Sequence, residues 1–138
     1  MNKDIILKEV GKIIIPLVQL FGIYVIINGH LSPGGGFSGG TILGTSIIII
    51  HLIYGEDFAK NIYSRKNLLL GISSSLIFYT IIKGYSFLSY ELQLPHPPLG
   101  NPGSILSAGF ILPLNIAVGI IVASVFYIIF SIFIKDEV

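Results

Sequence analysis

Three places in the chain carry residues whose types and spacing could do chemistry. Residues 29–40 read GHLSPGGGFSGG, and residues 34–39 within them satisfy the G-x-G-x-x-G pattern of dinucleotide-binding loops. A histidine, His51, and a lysine, Lys83, lie in otherwise apolar stretches. These residues offer a phosphate cradle, a titrating imidazole and an ammonium group inside an apolar environment. The surrounding sequence decides among these chemistries.

The composition indicates a membrane protein. Of the 138 residues, 53% are hydrophobic and only 11% are charged, and the mean hydropathy is +0.88. Soluble domains carry about 25% charged residues. The formal net charge of +1 gives no electrostatic surface for nucleic acid, so we expect no nucleic-acid partner. Cysteine is absent, which excludes thiolate metal sites and cysteine-ligated iron–sulfur clusters within this chain.

Four apolar segments are long enough to cross the hydrocarbon core, which takes about 20 residues at 1.5 Å per residue. The segments cover about 12–28, 33–54, 67–89 and 105–134, with a break near residue 113. We therefore predict an all-α integral membrane protein with four transmembrane helices in a single domain, residues 1–138. The first segment is expected to be retained rather than cleaved as a signal peptide, because three more hydrophobic segments follow it.

Two prolines bear on where the first two helices begin. Pro16 falls near the start of the first segment, where proline costs a helix least. The plainly apolar part of the second segment, residues 41–54, is too short to cross the membrane. We therefore predict that this helix begins at Pro33 with Ser32 as its N-cap, so that the glycines form its first turns. A partly unwound segment at the same depth is the alternative.

The basic residues predict the orientation of the four spans. Seven of the eight fall on one side of the predicted membrane: Lys3, Lys8, Lys12, Lys60, Arg65, Lys66 and Lys135. By the positive-inside rule, both termini and the loop of residues 55–67 face the cytoplasm. The glycine-rich stretch then faces outward. We expect a multi-pass protein of the cell (cytoplasmic) membrane.

The context of the glycines disfavours nucleotide binding. A dinucleotide loop follows a β-strand and is followed about 20 residues later by an acidic residue. Here a hydrophobic helix precedes the glycines, and Glu56 and Asp57 lie at the opposite membrane face. The P-loop pattern fails as well, because Thr41 stands where that motif needs lysine.

The glycine spacing fits helix packing better. Gly36, Gly40 and Gly44 recur every four residues and share one face of the second helix, as small-residue contact faces between membrane helices do. A weaker face of the same spacing lies on the fourth segment: Asn115, Gly119 and Ala123. The glycine face predicts either packing within the chain and against another subunit, or a lining role in an ion or water path.

Ionisable side chains inside a bilayer are functional candidates. Lys83 either extends its ammonium to the outer headgroups or serves as a proton-relay or counter-ion group facing a partner subunit. His51, at the inner end of the second span, is either an interfacial structural residue or a titrating group. His30 and His96 lie far apart in sequence without clustered carboxylates, so we expect no metal site.

The four spans lack features that independent activity would need. No nucleophile–base set or carboxylate pair is readable, so we expect neither catalytic residues nor a cofactor. The spans also contain no acidic residue in mid-membrane, which a self-sufficient ion carrier normally has. The sequence therefore predicts an accessory subunit.

The stretch GHLSPGGGFSGG, placed between two hydrophobic spans of a small four-span chain, resembles the MnhB/MrpB family. Members of that family are subunits of the multi-subunit Mrp-type Na+/H+ antiporter, which is related to the membrane arm of respiratory complex I and of membrane-bound hydrogenases. The positions that match the family are His30, Pro33, Gly34, Gly35, Gly36, Phe37, Gly39 and Gly40.

The resemblance implies a non-catalytic membrane subunit that joins other small membrane subunits and two large antiporter-like ones to couple Na+ and H+ movement. The motif would hold the first turn of the second span against a neighbouring subunit or beside the ion route. Two alternatives stay open. The same subunit could work inside a redox-driven complex such as a membrane-bound hydrogenase, or it could be a purely structural assembly subunit with no part in ion movement.

Overall fold

The computed structural model describes residues 2–31, 34–92, 95, 109 and 111–136. These residues form five α-helices and no β-strand: α1 Asn2–Ile27, α2 Gly35–Tyr54, α3 Glu56–Ile62, α4 Arg65–Glu91 and α5 Ile111–Asp136. Helices α1, α2, α4 and α5 are long and apolar enough to cross a membrane. The predicted all-α fold with four transmembrane helices is thus confirmed, and the orientation of the termini stays a prediction.

Helices α2 and α5 form the centre of the bundle. They pack against each other, α1 lies mainly on α2 with a smaller contact to α5, and α4 lies on α5. In the most apolar window of each helix, 44% of the α2 residues are buried, compared with 22% in α1 and 17% in α4. Among the residues that the structure describes, the outer faces of α1 and α4 therefore have few protein neighbours.

Helix α1 begins about ten residues earlier than the predicted span. Its first turns continue the apolar pattern of Ile5, Ile6 and Val10, and the Lys12 ammonium donates to Glu9 at 2.6 Å, a spacing that supports a helix. Pro16 consequently lies inside the helix rather than near its start. Membrane helices tolerate such prolines because neighbouring groups can satisfy the freed carbonyl.

The other spans also differ from the predicted bounds. Helix α4 begins at Arg65, where the Ser64 hydroxyl accepts a hydrogen bond from the backbone N–H of Asn67 at 3.3 Å and caps the helix. Helix α5 is described from Ile111, and Pro113 lies in its first described turn, where a backbone N–H would have no carbonyl acceptor within those residues. The predicted start of this span, residues 105–108 and 110, lies outside the described residues.

The short helix α3 was predicted only as part of a loop. Gly55, with φ of 88°, separates it from α2 in a conformation that suits glycine. Glu56 and Lys60 form an ion pair one turn apart, and Ala59 is fully buried against the core residues Ile47, Leu68 and Tyr127. Tertiary burial of Ala59 explains why seven residues hold a helix that would be marginal alone.

Two ends of the bundle differ in character. The basic end holds α3 and the start of α4, with Lys60, Arg65 and Lys66. The N-terminal half of α1 reaches the same end, because Gly11 packs against Ile53. The glycine end, at the opposite end of α2, holds residues 28–31 and 34–36.

Candidate functional site

The glycine motif opens α2 with a tight connection from α1. The backbone N–H groups of Gly29 and Leu31 donate to the carbonyls of Ile26 and Asn28 at 3.2 and 2.9 Å. Gly34 is the N-cap with φ of 101°, a conformation that L side chains rarely adopt. The helix therefore begins at Gly35 instead of Pro33, and the predicted N-cap, Ser32, lies outside the described residues together with Pro33.

One face of α2 packs backbone to backbone on α5. A Cβ atom added at Gly40 would lie 2.7 Å from the Gly119 carbonyl oxygen, and one at Gly44 would lie 3.1 Å from the Ala123 carbonyl oxygen. Gly36 lies against the backbone of Asn115 in the same way. The two faces of four-residue spacing that the sequence contains thus meet in register along the centre of the bundle.

A second face of α2 packs on α1. A Cβ atom at Gly39 would lie 2.8 Å from the Gly22 carbonyl oxygen and 3.0 Å from the Ile26 nitrogen. One at Gly35 would lie 2.9 Å from the Gly29 carbonyl oxygen. Adjacent helix positions point about 100° apart. Neighbouring glycines such as Gly39 and Gly40 therefore pack against different helices, α1 and α5.

The remaining motif residues point elsewhere. Phe37 is 58% exposed and faces away from both neighbouring helices. His30 is half-buried, and neither of its ring nitrogens has a hydrogen-bond partner among the described residues. The Asn115 amide lies beside Gly29 and Gly35, and its buried Nδ2 has no partner there either. The glycine end thus combines tight backbone packing with polar atoms that lack partners within the described part of the chain.

His51 lies at the basic end and is buried. Its Nδ1 is 3.0 Å from the Tyr127 hydroxyl oxygen, a hydrogen bond in which either group can donate, depending on the imidazole tautomer. The Phe130 ring meets the imidazole edge to face at a centroid distance of 5.4 Å. The Tyr63 ring lies 6.1 Å from that of Tyr127. Two buried polar side chains thus satisfy each other inside an aromatic shell.

A partly enclosed cavity of about 60 Å³ adjoins the His51–Tyr127 pair. Its polar lining residues come from all elements at the basic end except α1: His51, Glu56, Lys60, Tyr63, Arg65, Tyr127 and Ser131. Its volume is enough for a small number of water molecules. The hydrogen bond with Glu56 raises the pKa of Lys60, which is exposed outside the spans, so Lys60 stays charged at neutral pH.

Lys83 is exposed on α4, away from His51. It lies about 12 Å along the helix from Glu91, the last residue of α4. Within the described residues it has no hydrogen bond or ion pair, whereas its near neighbour Thr80 donates to the Leu76 carbonyl. The structure therefore does not bring the two predicted ion-path residues, Lys83 and His51, together.

His30 and His51 are also far apart. Along α2 the rise from Gly35 to His51 is about 24 Å, so the two histidines lie towards opposite ends of the bundle. Within the described residues, no three His, Asp or Glu side chains cluster as metal ligands would. The sequence did not single out Tyr127, because an aromatic residue in an apolar span predicts simple core packing.

Comparison with known proteins decides the family. The family model described as "Domain related to MnhB subunit of Na+/H+ antiporter" matches residues 6–128, nearly the whole chain. The chain belongs to the MnhB family. The resemblance that the glycine stretch indicated is thereby confirmed, and it extends over all four spans rather than over the motif alone.

Curated relatives of this MnhB-family chain are named as antiporter subunits. A Staphylococcus aureus protein named as antiporter subunit mnhB2 is 34% identical over 106 residues, which is 72% of this chain and 75% of the relative. Its namesake in Staphylococcus haemolyticus is 33% identical over 103 residues, 71% of this chain and 73% of the relative. A third, in Staphylococcus epidermidis, is 42% identical over 53 residues, 38% of each chain.

Proposed function

We propose that this chain is a non-catalytic subunit of an Mrp-type Na+/H+ antiporter in the cell membrane. It joins other membrane subunits and contributes to assembly and to the cation and proton path. Membership of the MnhB family is the observation that carries the proposal. Its four membrane-spanning helices and the absence of cysteine, which excludes cysteine-ligated iron–sulfur clusters in this chain, are compatible with a subunit that acts through partners.

The exposed faces of the outer helices support a role inside a larger assembly. Helix α1 exposes a row of large apolar side chains that lipid or another subunit can cover: Ile13, Ile14, Leu17, Leu20, Phe21 and Tyr24. Helix α4 adds exposed polar groups to its apolar surface, among them Ser74, Thr80 and Lys83. Polar groups in a membrane are more stable against protein than against lipid, so we assign α4 to a contact with a neighbouring subunit.

The glycine motif supports the same assignment at the other end of α2. Its glycines hold the start of α2 against α1 and α5, which leaves Phe37 exposed towards a neighbour. His30 and Asn115 carry buried polar atoms without partners in the described chain, and a neighbouring subunit would supply them. We propose that the glycine end faces outward and the basic end faces the cytoplasm, following the charge distribution.

No observation favours the redox-driven alternative. The three relatives bear antiporter-subunit names, and none of those names refers to a hydrogenase. The purely structural alternative differs from our proposal in one testable respect, because it predicts that assembly accounts for every effect of a substitution on transport.

The decisive experiment expresses the complete set of antiporter subunits with a tag on this chain. We expect the other subunits to co-purify in mild detergent, and everted vesicles to lose Na+/H+ exchange when this chain alone is omitted. The same two measurements, co-purification and exchange, compare Lys83→Gln with Thr80→Val on the same exposed surface. Lys83→Gln keeps a polar side chain but removes the charge. Full exchange without the chain, or exchange by the chain reconstituted alone, would contradict the proposal.

A further inference from the structure

The cavity at the basic end is lined by a half-buried carboxylate and a buried imidazole, and it is large enough to hold water. Glu56 and Lys60 contribute to it from α3, Arg65 from the start of α4, and His51 and Tyr127 from the central helices. No described residue of α1 lines it. A cavity needs two to four polar partners for each water it holds, and this lining supplies them.

We propose that this cavity is a hydrated proton-exchange site in which His51 takes up and releases protons through the Tyr127 hydroxyl, with Glu56 as the carboxylate of its described lining. The proposal deepens the proposed function and rests on it. It adds a route between the aqueous phase at the basic end and a buried imidazole, which neither the family nor the relatives' names assign.

The geometry supports a proton transfer in which each bond that breaks is matched by a bond that forms. In the neutral tautomer whose proton is on Nε2, Nδ1 of His51 accepts from the Tyr127 O–H across 3.0 Å. A proton arriving on cavity water binds to the Tyr127 oxygen while the original tyrosine proton moves to Nδ1. The hydronium O–H bond and the original tyrosine O–H bond break, a new tyrosine O–H bond and an N–H bond form, and the positive charge passes from water to the imidazole. Release is the reverse.

The other polar groups of the cavity do not replace His51 in this role. Arg65 contributes a guanidinium, a group that donates hydrogen bonds and has no lone pair that accepts a proton. The Glu56 hydrogen bond raises the pKa of Lys60, so this ammonium also stays protonated near neutral pH. Tyr63 offers a hydroxyl group, which donates and accepts hydrogen bonds without ordinarily taking up a charge near neutral pH. An imidazole is the one side-chain type in this lining that ordinarily exchanges protons at physiological pH.

Single substitutions with matched controls test the route in the complete antiporter. Tyr127→Phe removes the hydroxyl but keeps the ring, and Tyr54→Phe makes the same change outside the cavity. Glu56→Gln removes the one carboxylate among the described lining residues, and Asp57→Asn makes the same change on a neighbour that does not line the cavity. Exchange is measured in everted vesicles from about pH 6 to pH 9, a range that covers the ordinary imidazole titration, and the amount of assembled complex is measured in the same membranes.

We expect Tyr127→Phe to lower the exchange rate about tenfold or more and to change its pH profile at an unchanged amount of complex, because a positioned proton donor is lost. Glu56→Gln should shift the profile by a smaller amount, and both controls should match the wild type. A wild-type rate and profile for assembled Tyr127→Phe would overturn the proposal. That result would leave the antiporter assignment intact, because the proposed function is contradicted by other outcomes: failure of the wild-type chain to assemble, full exchange without the chain, or exchange by the chain alone.

If the complex with Tyr127→Phe does not assemble, a second experiment tests the proposal by measuring whether water reaches the cavity. The chain contains no cysteine, so Ser131→Cys places its single thiol on the cavity wall, and Ser46→Cys places one at a fully buried position as a control. Labelling of the Ser131→Cys chain, but not the control, by a small water-soluble thiol reagent supports a hydrated site. Failure to label Ser131→Cys, or equal labelling of both chains, would overturn the proposal.

Discussion

The Gly40→Ala substitution is the sharpest test of the central packing. The added Cβ would lie 2.7 Å from the Gly119 carbonyl oxygen, 2.8 Å from Val122 Cβ and 3.0 Å from Gly119 Cα. Carbon contacts are optimal at about 3.5–4.0 Å, so α2 and α5 have to separate by roughly 0.5–1 Å. Two of the three contacts are to backbone, which cannot rotate away as a side-chain end could.

The expected cost follows from this separation. Overpacking of a well-packed interior costs about 1–3 kcal/mol, and a gap of this size also weakens the dispersion contacts along the rest of the interface. The folded-to-unfolded ratio should therefore fall by about 5- to 150-fold relative to the wild type. Gly84→Ala is the matched control, because it lies in a membrane helix with no atom within 4 Å of the added Cβ.

Detergent-solubilised chains heated in steps and analysed by size-exclusion chromatography give the measurement. Gly40→Ala should lose its folded peak at a clearly lower temperature than the wild type. Gly84→Ala should match or exceed the wild type, because alanine favours helix over glycine by about 1 kcal/mol. Equal melting of the two variants would refute close backbone packing between α2 and α5.

Three further predictions concern the outer helices and the basic end. Ala59→Gln should lower thermal stability by about 1–3 kcal/mol because Ala59 is fully buried, whereas Asn61→Gln, on the exposed side of α3, should leave the melting temperature unchanged. Lys83→Leu should change the stability of the isolated chain by less than about 0.5 kcal/mol, so a loss of co-purifying subunits would identify a partner contact. The raised pKa of Lys60 means that its pair with Glu56 contributes stability below the ordinary lysine pKa of about 10.4 and loses it as the pH rises through the folded value. The difference in melting temperature between the wild type and Lys60→Gln should therefore stay constant from about pH 6 to pH 9. It should decrease only at more alkaline pH.

The sequence predicted the spans because a membrane helix needs only length and apolar composition, and both are local properties. It could not predict their ends. Helix α1 continues through residues 2–11 because amphipathic turns and the Glu9–Lys12 pair extend the helix past its most apolar part. Helix α3 forms because Ala59 packs against Tyr127, which is distant in the sequence.

The candidate site could be predicted only in part from the sequence, for a related reason. The spacing of Gly36, Gly40 and Gly44 predicts a contact face, and Gly35 and Gly39 show the same spacing, so a second face was detectable. Which helices meet those faces depends on tertiary structure. The interaction of His51 with Tyr127 joins residues 76 positions apart, and no local pattern indicates such a pair.

The two kinds of helix contact bear on how the cavity at the basic end could change its access to water. Helices α1, α2 and α5 meet through glycine backbones, whose positions no side-chain rotation can adjust, so they form a rigid unit. Helix α4 instead lies on α5 beside an open groove of about 460 Å³, and Arg65 and Leu68 in its first turn line the cavity. A neighbouring subunit that moves α4 would therefore open or close the cavity while the His51–Tyr127 hydrogen bond, held between the two central helices, stays in place.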